Sequence, residues 1–187
     1  MNRKRQTVIF IVIIFVLGIW RFGGAQQIYV SPEKVLYACE RGLHYGPSDK
    51  VLLKKKIGKE VLVIGKLSDG LSVVKTEKSL LGMWRIGDGG ITGKIEAVKD
   101  ADVFYSNTFK LVYGYSKNPE IKSVKFSIEK VSGDSRNIID TFECTVDSDG
   151  FFYADTPEYE YDSQSQYLYA VDLFGFDESG NLIYSEL

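Results

Sequence analysis

Histidine, thiol and carboxylate chemistry have few places to sit in this chain. His44 is the sole histidine, and Cys39 and Cys144 are the two cysteines. A nucleophilic dyad needs a hydroxyl or thiol held against a base. Cys39 and His44 lie five residues apart, a poor spacing for one helix face, and Gly42 interrupts them. One histidine and two cysteines without CxxC or HxxxH spacing do not make a zinc site. Asp147-Ser148-Asp149-Gly150 echoes the start of a calcium loop, with Glu158 at position 12 counted from Asp147. Position 5 of that loop is Phe151, which cannot ligate, so the segment reads as a hairpin turn. No catalytic residue, metal or cofactor is therefore expected.

Two patches have the composition of binding surfaces. Glu158, Tyr159, Glu160 and Tyr161 lie in the acidic stretch from Asp155 to Asp162. Carboxylates interleaved with aromatic rings can grip sugars or a basic peptide; the competing reading is a solvated loop. Lys54, Lys55 and Lys56, flanked by Lys50 and Lys59, form the opposite feature. Basic clusters hold anionic polymers or lipid headgroups; the competing reading is a strand end running into a solvated turn.

The first 25 residues place these patches. Arg3, Lys4 and Arg5 precede an uncharged apolar run from Thr7 to Trp20, and Gly23-Gly24-Ala25 follows. A basic segment, an apolar core and small residues are the layout of an export signal. The run is 14 residues long, and as a helix it covers roughly 21 Å against a hydrocarbon core of about 30 Å. Arg5 and Arg21 can snorkel and Trp20 suits the interface, so the segment reads as an uncleaved anchor. Cleavage after Ala25, giving a secreted protein, is the alternative. The positive-inside rule puts the N-terminus in and the C-terminus out. Leu36-Tyr37-Ala38-Cys39 looks like a lipobox, but a lipobox directly follows the apolar run, and here Gln26, Gln27, Ser31, Pro32, Glu33 and Lys34 intervene. Nucleic acid is disfavoured by an exterior location and a pI near 5.5.

About 160 residues follow the signal, enough for one medium domain or two small ones. Residues 1–99 hold 17 Lys/Arg and 8 Asp/Glu, net +9, and residues 100–187 hold 6 and 17, net −11. Of the 25 aromatic residues, 17 follow residue 99. Such asymmetry marks two distinct domains. Ser31-Pro32-Glu33 starts a helix over 32–41, with Val35, Leu36, Cys39 and Leu43 in one stripe. Val51–Leu53, Val61–Ile64, Leu71–Val74 and Leu80–Ile86 are strands. Residues 31–88 thus read as a small α+β domain, one helix on a β-meander. Residues 87–100 read as a Gly-rich linker, because no helix or Lys-Ser/Thr accompanies the glycines as a phosphate loop requires.

Residues 101–187 read as strands separated by turns: Phe109–Tyr115, Val124–Val131, Ile138–Val146, Phe151–Ala154, Tyr167–Phe174 and Leu182–Tyr184. Strands at this spacing indicate a sandwich or barrel. The hairpin from Ala170-Val171-Asp172 through Gly180-Asn181 resembles the closing strands of bacterial immunoglobulin-like modules, which implies an antiparallel β-sandwich. Cys39 and Cys144 stand one in each half and could be bridged or could be separate buried thiols.

The fold class expected is mostly β: an N-terminal hydrophobic segment, a small α+β domain and an immunoglobulin-like antiparallel β-sandwich. The function expected is that of an exported, membrane-tethered protein of the bacterial cell envelope, a non-enzymatic binding module. Its partners would be the membrane, through the N-terminal segment, and a protein or an anionic cell-wall polymer. The alternatives are a secreted carboxylate-based hydrolase acting on glycans, with two carboxylates roughly 5–10 Å apart, or a cleaved soluble factor.

Overall fold

A computed structural model describes residues 9–14, 27–79, 82–87, 92–96, 103–108, 111–132, 135–157 and 166–186. The described residues are mostly β, in antiparallel sheets, with two helices. It divides into two compact units, residues 1–68 with 72–94, and residues 69–71 with 95–187.

In the first unit, residues 9–14 form helix α1, and its apolar side chains are all exposed, from 46% at Ile9 to 64% at Phe10. Among the described residues no helix is long and apolar enough to cross a membrane. Helix α2 spans Pro32–Gly42. The Ser31 hydroxyl accepts from the Lys34 N–H at 3.4 Å, Pro32 occupies the first turn, and Glu33 and Arg41 suit the helix dipole at either end.

Strands β1 (Lys50–Ile57), β2 (Glu60–Leu67), β3 (Gly70–Lys78) and β4 (Trp84–Ile86) lie in that order, and β5 (Thr92–Glu96) also pairs with β3. Val35, Leu36 and Cys39 of α2 close onto Val63 and Val74, with Val51, Val61 and Trp84 around them. β3 is buried from Gly70 to Thr76, as befits a central strand. Across β3 and β4, Glu77 opposes Arg85 and forms an ion pair at 2.5 Å. Lys78 opposes Trp84 and lies 5.4 Å from its ring. Such directly opposed pairs fix register.

The second unit contains β6 (Val103–Thr108), β7 (Leu111–Ser116), β8 (Ser123–Ser132), β9 (Ser135–Thr145), β10 (Phe151–Asp155), β11 (Gln166–Phe176) and β12 (Leu182–Glu186). They form a three-stranded sheet, β10-β7-β6, and a four-stranded sheet, β12-β11-β8-β9. One core takes Val103, Val112 and Phe152 from the first sheet and Val124, Phe126, Ile128, Cys144, Ala170 and Leu173 from the second. The Tyr105 hydroxyl on β6 donates to the Ala170 carbonyl on β11 at 3.0 Å.

Four sequence readings need correction. The strand expected over Leu80–Ile86 is Trp84–Ile86, because Ser79 N–H bonds to the Met83 carbonyl and Gly82 N–H to Ser79, making a turn. Residues 80–81 lie outside the described set. Lys54–Lys56 do not enter a turn: pairing with β2 runs on to Ile57 opposite Glu60, and Gly58, at φ 62°, turns the chain. The stretch read as a linker contains β5, where β-branched Thr92 and Ile95 favour extended chain. The strand expected over Phe109–Tyr115 is described as Leu111–Ser116, and an additional strand, β6, precedes it; residues 109–110 lie outside the described set.

Candidate functional site

The lysine patch sits on an edge strand. β1 is the end strand of its sheet, and a lysine-bearing edge resists pairing with another chain. Lys54 and Lys56 are exposed and stand opposite Val63 and Val61, on the face that α2 covers further along, whereas Lys55 stands opposite Leu62 on the other face. The three lysines therefore do not share a face. Lys54 joins β1 to the helix by an ion pair with Glu33.

The Lys54 hydrogen bond, aided by Ser31, lowers the Glu33 carboxyl from 4.5 to about 2. A lowered carboxyl stabilises the fold above its ordinary range and loses that contribution as pH falls toward 2. Glu33→Gln should accordingly lower the urea midpoint of this unit at pH 6, with the difference from wild type shrinking between pH 5 and pH 2. A constant difference across that window would remove the ion pair from the account.

Glu158, Tyr159, Glu160 and Tyr161 lie outside the described residues. The Asp147–Gly150 segment, read from the sequence as a hairpin turn, is instead a tight turn between sheets: it leads from β9, which pairs with β8, to β10, which pairs with β7, and Asp147 Oδ1 accepts from the Asp149 N–H at 2.8 Å and the Phe151 N–H at 2.9 Å. Among the described residues, no three His, Cys, Asp or Glu side chains gather as a metal site. Asp177 plays the same part in the β11–β12 hairpin, accepting from the N–H groups of Ser179 and Asn181 at 2.9 and 2.8 Å. Hydrogen bonding by Asn181 lowers its carboxyl. Beside the first turn lies a cleft of about 160 Å³, lined by residues including Tyr115, Lys117, Lys122 and Asp147; small-molecule sites usually run from roughly 300 to 1,000 Å³. His44 is exposed, at φ 60°.

Both cysteines are free and buried, Cys39 in the first unit and Cys144 in the second. Burial pushes each thiol up to about 11. Because the thiolate is the reactive form, neither should react with a thiol reagent at pH 8 in native protein, and both should react at once after unfolding. One fast native thiol would contradict this.

Sequence reasoning missed two features. The first is Glu40, fully buried on α2, whose carboxyl accepts from the Ser48 N–H at 2.9 Å and from the Ser48 hydroxyl. The chain closes around it through two glycines. A Cβ at Gly65 would lie 2.2 Å from Ser48 Oγ, and one at Gly46, at φ 83°, would lie 2.9 Å from Glu40 Oε2. This knot anchors the segment between α2 and β1.

The second is the outer face of the four-stranded sheet. Val124, Phe126 and Ile128 of β8 point into the core, so Ser123, Lys125, Ser127 and Glu129 point away from it. Directly opposed residues share a face. Glu129 is flanked by Ile138 on β9 and Tyr169 on β11; Lys125 by Glu143 and Phe174; Ser123 by Thr145 and Phe176, beyond which stands Leu182 on β12. Ile138, Tyr169 and Leu182 are 58%, 49% and 54% exposed. Phe174 and Phe176 are half-buried. A bulge at Asp172, with φ 53°, reverses the alternation and brings both phenylalanines to this face. The result is a surface apolar at its two ends, with the opposed pair Lys125 and Glu143 between.

No family model, curated protein or solved structure matches the chain.

Proposed function

We propose that this is an exported, membrane-tethered protein of the bacterial cell envelope whose second unit is an immunoglobulin-like module that binds a protein partner. The observation that carries the binding reading is the outer face of the β12-β11-β8-β9 sheet, where Ile138, Tyr169 and Leu182 are exposed beside Phe174 and Phe176. Phe176 stands directly opposite Leu182, with Phe174 two residues along the same strand, and apolar side chains gathered on an exposed face mark interaction sites. Tethering is supported by the basic residues before an apolar run and by the exposed apolar side chains of α1.

Strand order supports the immunoglobulin-like reading. Lettered along the chain from β6 as A, B, C, C′, E, F, G, the sheets read E-B-A and G-F-C-C′. The second is the arrangement of variable-type immunoglobulin sheets, in which C′ extends G-F-C.

The test is crosslinking in intact cells from a photoreactive residue at position 169. A discrete adduct is expected, lost on Ile138→Ser with Leu182→Ser and absent when the probe sits at position 153, exposed on the other sheet. Equal adducts from both positions, or one indifferent to the two serines, would overturn the assignment.

A further inference from the structure

We infer that the β1–β2 hairpin is a second membrane contact, binding anionic lipid headgroups through its lysines; this rests on the tethered reading of the N-terminal segment. Between Lys50 and Lys66 the chain carries six lysines and one acid, Glu60. Glu60 pairs with Lys75 on β3 at 2.8 Å, and Glu33 on α2 pairs with Lys54. Lys50 stands directly opposite Lys66 in the ladder. Four of the six, Lys50, Lys54, Lys55 and Lys56, stand on the edge strand β1.

The tether limits what can occupy this surface. Tyr29 is bridged to the sheet opposite Trp84, and it lies nine positions beyond Trp20 at the end of the apolar run. Such a length spans at most about 30 Å. The unit is thereby held close to the headgroups, where lysines are attracted within roughly 10 Å. The apolar run itself is short for a span, and stable attachment commonly combines an apolar anchor with a polybasic surface. A lipid surface is therefore favoured over a wall polymer further out.

The test uses the full chain in co-flotation with vesicles of phosphatidylcholine alone or with added phosphatidylglycerol. Wild type should bind both, with phosphatidylglycerol strengthening binding in a salt-sensitive way. Lys54→Gln, Lys55→Gln and Lys56→Gln together should reduce that enhancement about 100-fold, at roughly fivefold per lysine, and leave binding to neutral vesicles unchanged. The same positions changed to Arg should retain it. The inference is overturned if the Gln variant keeps the enhancement, or if Lys117→Gln, Lys122→Gln and Lys125→Gln in the second unit reduce it equally. It is also overturned if a soluble glycerol-phosphate polymer competes as well as vesicles at equal phosphate. Failure to bind neutral vesicles, with the anionic enhancement intact, would sink the apolar tether instead.

Discussion

Glu40→Ala is expected to destabilise the first unit by about 3 kcal/mol, whereas Glu40→Gln costs under about 1 kcal/mol. The carboxyl is fully buried and accepts two hydrogen bonds from Ser48. Truncation leaves the Ser48 N–H and hydroxyl without acceptors and opens a cavity beside Leu36, so desolvation and packing losses add. Gln keeps the shape, and its amide can accept from the N–H while donating to the hydroxyl oxygen. The check is a urea titration followed through labelling of Cys39, which is buried in the same unit. A double-mutant cycle with Ser48→Ala should give a coupling of roughly 1–3 kcal/mol. Additivity would show that Glu40 acts through packing alone.

Phe126→Ala should cost the second unit still more, about 3–5 kcal/mol. Phe126 is fully buried at the centre of the core shared by the two sheets. It stacks on Phe142, directly opposite on β9, with ring centroids 5.5 Å apart, a pair worth roughly 0.5–1.5 kcal/mol beyond burial. Here Cys144 labelling reports the transition, since Cys144 lies in the same core. Phe126→Leu should retain more than half of the lost stability because it refills much of the volume. A midpoint unchanged by Phe126→Ala would contradict the packing described for this unit.

Local signals carried much of this architecture. Ser31-Pro32-Glu33 starts α2 at the expected residue because cap, first-turn proline and acid all act locally. The alternation of β8 is readable from Val124 to Ile128, since one face meets the core and the other does not. The first unit's hairpin at Ser68-Asp69 and the second unit's at Asp177–Asn181 follow from turn chemistry within a few residues, whereas Asp147–Gly150 has the same local chemistry but joins two sheets, which turn residues alone do not reveal.

What escaped depends on distant partners. Glu40, set between Cys39 and Arg41, looks like an ordinary helix-surface acid. Only folding brings Ser48 against it and the side-chain-free Gly65 behind Ser48. Lys54–Lys56 resemble a turn because charge runs usually do; their ladder with β2 is a property of the pair. The platform on the four-stranded sheet draws on β8, β9, β11 and β12, and the bulge at Asp172 that turns Phe174 outward breaks the alternation a sequence reader relies on. The acid–tyrosine segment 158–161 lies outside the described residues, so its candidacy stands on sequence alone.

The central claim is that an N-terminal apolar segment tethers an interaction module outside the cell. The most direct measurement is intact mass of the native protein with fractionation and protease accessibility in whole cells. The account predicts a membrane-bound chain that retains residues 1–25 and is digested by external protease. A soluble chain beginning at Gln26, or one protected until the cells are opened, would contradict it.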